Sequence, residues 1–304
     1  MSSTPAILTE GLTKHYGDVK ALIDLDLSVG QGEVFGFLGP NGAGKTTMIR
    51  TILDLIRPTA GTASILGMDS HEKALEIRDH IGYLPGDLAL YPKLTGMETL
   101  RYFANLRGGV DWTYVDELSE RLDSDLTRRV GDLSSGNRQK VGLIQAFMSK
   151  PEVLVLDEPS TGLDPLVQQE FQAILRAVAA EGRSVFLSSH TLSEVERVAD
   201  RVGIIRHGKL VVVEGVESLK SKAIRRLELD FGAPVSAEVF TNIESVHDAS
   251  AEGTRVSVAI DGSMTSVLRE AMAHDLVNVE NAEADLEEIF LAYYRDTEAE
   301  KAVG

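Results

Sequence analysis

The chain has 304 residues, room for about two domains, and carries 30 Lys and Arg against 47 Asp and Glu, a formal net charge of −17. That balance excludes a general nucleic-acid binder and a polybasic membrane anchor, both of which need clustered cations. Apolar residues make up 43% and charged residues 25%, which excludes a largely disordered chain, and without cysteine there is no disulfide, thiolate nucleophile or Cys-ligated metal.

Met1–Glu10 has neither a basic start nor an apolar core, so no secretory signal is expected there. The longest apolar runs, such as Val153–Leu156 and Leu210–Val213, are strand-sized, far short of the ~20 residues of a spanning helix. Val34–Leu38, bounded by Gly, predicts a buried strand. A Gly-rich turn follows, then a helix over Thr46–Ile56, stopped before Pro58. Val153–Leu156 predicts a second buried strand. Val167–Ala180 has helical spacing, with Phe171, Ile174, Leu175 and Val178 on one face. Ser184–Leu187 predicts a strand and Leu192–Ala199 a helix. Val202–Ile205 and Lys209–Val213 predict a hairpin turning at His207-Gly208. Strands alternating with helices imply an α/β fold, its mainly parallel sheet covered on both faces.

The texture changes near Glu214–Leu219. Residues 217–304 hold 18 acids and 8 bases and read as a small α+β unit. Arg226–Phe231 and Arg255–Ile260 alternate as strands, Ser266–Ala273 reads as a helix, and Leu286–Tyr294 as a terminal helix. Leu286, Ile289, Phe290 and Tyr293 recur on one face of the latter, as core or as a contact surface. No acidic spacing there suggests a metal site.

Gly39-Pro40-Asn41-Gly42-Ala43-Gly44-Lys45-Thr46 matches G-x-x-x-x-G-K-[ST] at every fixed position, between a strand and a helix. Such a loop turns backbone N–H groups around phosphate oxygens. Lys45 brings a point charge to the β- and γ-phosphates, and the Thr46 hydroxyl serves Mg²⁺, with Thr47 next to it at the positive end of the helix. Val153–Leu156 runs into Asp157-Glu158, which puts two carboxylates at the carboxyl edge of the sheet. Asp157 is the candidate Mg²⁺ ligand. Glu158, on the alternate side of the strand, is the candidate to polarise the attacking water. His190 ends the strand Ser184–Leu187 extended by Ser188-Ser189, in reach of a γ-phosphate.

The order of these motifs resembles the nucleotide-binding subunit of an ABC transporter. Tyr16, the phosphate loop, Leu133-Ser134-Ser135-Gly136-Asn137, Asp157-Glu158, Ser160–Asp164 and His190 stand in that family's sequence over about residues 5–218. Gly82-Tyr83-Leu84-Pro85, Leu90-Tyr91-Pro92 and Asp285-Leu286-Glu287-Glu288-Ile289-Phe290 look most like the ABC-2 exporter group. The resemblance implies N-terminal antiparallel strands, a helical signature subdomain over about residues 87–150, and an accessory domain over residues 219–304. It implies a head-to-tail pair of subunits, with homodimerisation permitted because both half-sites look intact. Tyr16 would stack on adenine. Ser134, Ser135, Gly136 and Asn137, opening a helix over Asn137–Met148, would meet ATP bound to the partner, and Asp164 would contact the opposing subunit. The signature departs from the family's Leu-Ser-Gly-Gly-Gln. The family's Q-loop Gln falls at Gly86, which leaves Asp87, one position on, or water as candidates to complete the Mg²⁺ shell. The expected activity is ATP hydrolysis driving a separate polytopic permease from the cytoplasmic face of the cell membrane, with no insertion of this chain. A soluble ABC-type ATPase acting on ribosomes or DNA, a P-loop kinase and an importer subunit are the alternatives.

Overall fold

The structure, a computed structural model, describes residues 4–222, 225–260 and 263–282. It divides into two compact units, Met1–Glu214 and Gly215–Gly304. The first runs β1 (Ile7–Tyr16), β2 (Val19–Val29), β3 (Val34–Leu38), α1 (Lys45–Ile52), β4 (Ala60–Ile65), β5 (Met68–Asp69), α2 (Ala74–His80), β6 (Ile81–Leu84) and α3 (Gly96–Leu106). It continues through α4 (Trp112–Arg121), α5 (Ser135–Phe147), β7 (Val153–Asp157), α6 (Pro165–Ala180), β8 (Ser184–Ser189), α7 (Leu192–Glu196), β9 (Arg201–Arg206) and β10 (Lys209–Gly215).

Two sheets result. One is antiparallel, in the order β2-β1-β4-β5, and the other has six strands in the order β10-β9-β3-β8-β7-β6. The pairs β9-β3, β3-β8, β8-β7 and β7-β6 are parallel. Strands β3, β7 and β8 are buried along their whole length, as continuous apolar runs covered on both faces must be. Phe186 stacks on Phe35 with ring centres 5.9 Å apart and leans on Phe37 at 5.4 Å. The same core takes in Ile7, Leu22 and Leu25 of the first sheet and Met48, Ile49 and Ile52 of α1. Burial of each such side chain contributes roughly 1.5–3 kcal/mol, and it clamps the helix that follows the phosphate loop between the sheets.

Helix α6 buries Phe171, Ile174, Leu175 and Val178, the face its spacing predicts. Helix α1 stops at Ile52, four residues short of the expected end. Asp54 takes a φ of 53°, and the N–H groups of Leu55 and Ile56 both return to the Arg50 carbonyl, a left-handed cap that the apolar pattern does not register. Helix α7 stops at Glu196 instead of Ala199, because the sheet takes over the chain: Asp200 N–H donates to Val34 O, and Val34 N–H donates to the Asp200 carboxylate at 2.9 Å. Helix α5 starts at Ser135, two residues before the expected Asn137, with Ser134 as its cap.

The second unit runs α8 (Val216–Lys222), β11 (Arg225–Phe231), α9 (Glu238–Thr241), β12 (Val246–Glu252), β13 (Arg255–Ile260), α10 (Thr265–Met272) and β14 (Leu276–Ala282). Its sheet is antiparallel, ordered β12-β13-β11-β14, a split β-α-β arrangement used twice. Phe240 of α9 and Val267 and Ala271 of α10 share a core with Leu227, Leu229, Phe231, Val256, Val258 and Ile260. The alternate positions Asp230 and Arg255 form an ion pair at 2.6 and 3.0 Å. The helix expected over Leu286–Tyr294 lies outside the described residues.

Candidate active site at the sheet edge

The loop Gly39–Gly44 joins β3 to α1. Gly44 has a φ of 116°, and a Cβ there would stand 2.6 Å from the Ala21 carbonyl, so only glycine fits. Lys45, the first residue of α1, is buried. Its Nζ donates to Gly39 O at 2.5 Å and Pro40 O at 3.3 Å and lies 3.1 Å from Glu158 Oε1. An open cavity of about 430 Å³ is lined by Pro40, Asn41, Gly42, Gly44, Lys45, Thr46, Thr47 and Glu158. Ala43 is buried, and its carbonyl accepts the N–H of Gly208, so the β9–β10 turn backs the loop. Val19, Lys20, Ala21 and His207 complete the lining. Tyr16 stands 48% exposed at the end of β1, with Lys14 Nζ 5.1 Å over its ring.

Parallel pairing puts Asp157 beside Ser188. Asp157 is wholly buried, yet both its oxygens are satisfied: Oδ2 accepts from Thr46 Oγ1 at 2.8 Å and Oδ1 from Ser188 Oγ at 2.6 Å. Glu158 leaves the strand with a φ of 50°, a conformation rare for a residue with a side chain and frequent at active sites. Its carboxylate lies between two basic groups, with Lys45 on Oε1 and His190 Nδ1 2.7 Å from Oε2. His190 is exposed, and Glu158 has one face on the cavity. A carboxylate so held, at the rim of a phosphate-sized cradle, is placed to orient a water.

Thr46 Oγ1 and Asp157 Oδ2 are adjacent hard oxygen donors, the chemistry Mg²⁺ takes when phosphates and water supply the rest. Gly86 passes against the same carboxylate: a Cβ on it would stand 3.1 Å from Asp157 Oδ2. Asp87, next to it, is exposed, and among the described residues no three of His, Asp and Glu are grouped to hold a metal ion. The geometry thus brings Thr46 and Asp157 together and leaves Asp87 outside any such group.

Ser134 caps α5 by accepting the N–H of Asn137 at 3.3 Å; Ser134 and Ser135 are exposed, and Asn137 is half-buried. Gly136 is buried against the turn at Gly162, where a Cβ would stand 2.2 Å from the Gly162 carbonyl. Asp164 caps α6 through one oxygen, which accepts from Val167 N–H at 3.0 Å and Leu166 N–H at 3.1 Å. The Val167 N–H holds its carboxyl below the usual range.

Two further residues belong to this arrangement. Ser188 touches both acids, and Gln139 of α5 is buried, with Nε2 donating to Pro159 O at 3.1 Å and Glu158 O at 3.4 Å. The signal for Ser188 is a hydroxyl at the end of a buried apolar strand, a group that requires a partner.

Residues 22–161 match the family model described as ABC transporter. The chain is 33% identical over 291 residues to the bacitracin transport ATP-binding protein BcrA of Enterococcus faecalis, covering 93% of this chain and 94% of that protein. It is 39% identical over 222 residues to the daunorubicin resistance ATP-binding protein DrrA3 of Streptomyces coeruleorubidus, covering 71% of this chain and 70% of that one. The solved dimeric structure of MJ0796, a bacterial ABC transporter cassette, shares the fold, with a TM-score of 0.64 and 23% identity over 69% of this chain and 98% of that one. The cradle, the paired acids, the signature turn and these likenesses agree: the chain belongs to the ABC transporter ATP-binding proteins, as the subunit that binds and hydrolyses ATP.

Proposed function

We propose that this chain is the motor of an exporter of drug-like amphiphiles, working as a pair of copies over two ATP molecules from the cytoplasmic face of the cell membrane. The observation that carries the motor reading is the meeting of Lys45, Glu158 and His190 beside Thr46 and Asp157 at one sheet edge. The amphiphile class is drawn from the bacitracin and daunorubicin relatives, and the pairing from the dimeric cassette of like fold.

ATP enters with its phosphates over the loop N–H groups of Gly39–Thr46, and Lys45 turns from Glu158 to the β- and γ-phosphates. Thr46 and Asp157 would hold Mg²⁺, which would supply positive charge against the phosphates. Glu158 orients a water in line with the γ-phosphorus and takes up its proton, while His190 keeps the carboxylate aimed. Ser134, Ser135, Gly136 and Asn137 close over the γ-phosphate of the partner's ATP, Asp164 meets the opposing loop, and Tyr16 lies on adenine. Loss of the γ-phosphate releases the pair.

Among the described residues no helix is long and apolar enough to cross a membrane, so the spans are assigned to a separate polytopic permease. The docking surface proposed for it is the segment Gly86–Thr95 with α3. Tyr91 and Tyr102, edge to face at 5.5 Å, and Leu106 are exposed there. Beside them lies a mainly apolar groove of about 370 Å³ lined by Leu53, Ile77, Ile81 and Phe103, suited to an apolar helix end.

The test is affinity purification of the tagged chain from gently solubilised membranes, with a salt wash and mass identification. A polytopic membrane protein at stoichiometry is expected. A soluble dimer alone, or ribosomal proteins at stoichiometry, would contradict the motor reading, and a permease of the importer class would contradict export.

A further inference from the structure

We propose that Ser188 is a positioning residue of the ATPase site, one hydroxyl that sets the geometry of the metal-side acid and the water-side acid together. The inference rests on the roles given above to Asp157 and Glu158. Ser188 lies beside Asp157 in the parallel register of β7 and β8 and is wholly buried, so no water substitutes for it. A serine hydroxyl has one proton and two lone pairs. The Glu158 N–H only donates, at 3.0 Å, and so takes a lone pair; the proton therefore goes to Asp157 Oδ1, at 2.6 Å.

Each bond has a consequence for the chemistry. The first turns the Asp157 carboxylate so that Oδ2 faces Thr46 Oγ1, at 2.8 Å, on the side that would hold Mg²⁺. The second anchors the peptide of Glu158 where φ is 50°. In a regular strand, consecutive side chains point to opposite faces. The bend at Glu158 departs from that rule and brings its carboxylate to Lys45 and His190, at the rim of the same cavity as Thr46. Such a conformation persists only where its surroundings hold it, and the Ser188 oxygen is the side-chain acceptor of the Glu158 N–H. Removing the hydroxyl takes this partner from the buried Asp157 oxygen and from the part-buried Glu158 N–H, and both relax by moving.

The experiment compares Ser188→Ala, Ser188→Cys and Ser188→Thr in the full chain, with Glu158→Gln as reference. Cysteine nearly keeps the volume but is a weak donor and acceptor; threonine keeps the hydroxyl. Three quantities are read: kcat and KM for ATP, the affinity for Mn²⁺ in the presence of ADP by electron paramagnetic resonance, and the thermal midpoint. The Ala and Cys variants lower kcat about tenfold or more, because small displacements of reacting groups are costly, with KM changed less than about threefold. Both weaken Mn²⁺ binding several-fold, and Thr retains kcat and Mn²⁺ affinity. If the Ala variant does not fold, the Cys variant carries the test. Unchanged kcat and Mn²⁺ affinity in folded Ala and Cys variants, whatever their midpoints, would overturn the proposal, as would equal losses in all three. Turnover by Glu158→Gln at the wild-type rate would instead overturn the reading beneath it.

Discussion

Glu158 is a residue whose backbone and side chain are held by different parts of the chain. Its N–H is fixed from β8, its carbonyl is approached by Gln139 of α5, and its carboxylate lies between the phosphate-loop lysine and His190. The turn it begins ends at Gly162, which packs on Gly136 backbone to backbone. A Gly136→Ala substitution puts a methyl group 2.2 Å from the Gly162 carbonyl, and backbone on both sides cannot yield as a flexible side chain does. The expected outcome is a lowered thermal midpoint together with a loss of hydrolysis greater than the loss of folded protein, measured by calorimetry and steady-state turnover on one preparation. A fully active, equally stable variant would mean the two turns are not in contact. Such long-range dependence also explains what was legible. The phosphate loop could be read because its chemistry follows from eight consecutive residues. Ser188 and Gln139 could not, because their partners stand 31 and 20 residues away, and only the sheet register and the α5 packing bring them in.

Around the site, helices α5 and α6 open on the side-chain caps Ser134 and Asp164, and strands β7 and β8 end in the polar residues Asp157 and Ser189. Asp164 at the start of α6 accepts two backbone N–H groups, which hold its carboxyl below the ordinary value of 3.8. A folded-state pKa below the unfolded one gives stability that is present above that ordinary value and lost as pH falls through the lowered one. In an Asp164→Asn variant, whose amide oxygen still caps the helix, the thermal midpoint should lie below wild type near neutral pH. The difference should shrink as pH falls from about 6 to about 3; a constant difference across that range would refute the charge contribution. Elements with clean periods were legible: β3, β7, β8 and α6 sit where their apolar patterns put them. The spans of β1 and β2 were not, because register shifts between Thr9 and Leu12 and again before His15 break the two-residue alternation. The early end of α1 depends on one residue, Asp54, taking a positive φ.

At the scale of the whole molecule, the two units have different chemistry. The first holds the phosphate cradle and the acids that face it, and its net charge is less negative than that of the second. The second has its own apolar core under a sheet whose alternate positions carry Asp230 and Arg255. The net charge of −17 runs against a nucleic-acid surface, which agrees with membership in a transporter family. On the proposed reading, ATP closes two copies, and Glu158 then ends the closed state by activating water. The most direct measurement is turnover of Glu158→Gln beside its sedimentation with and without ATP and Mg²⁺. Turnover should fall on the order of 10²–10⁴-fold, the usual worth of a positioned general base, with a dimer that persists while ATP is present. Hydrolysis at the wild-type rate, or a monomer at saturating ATP and Mg²⁺, would contradict it.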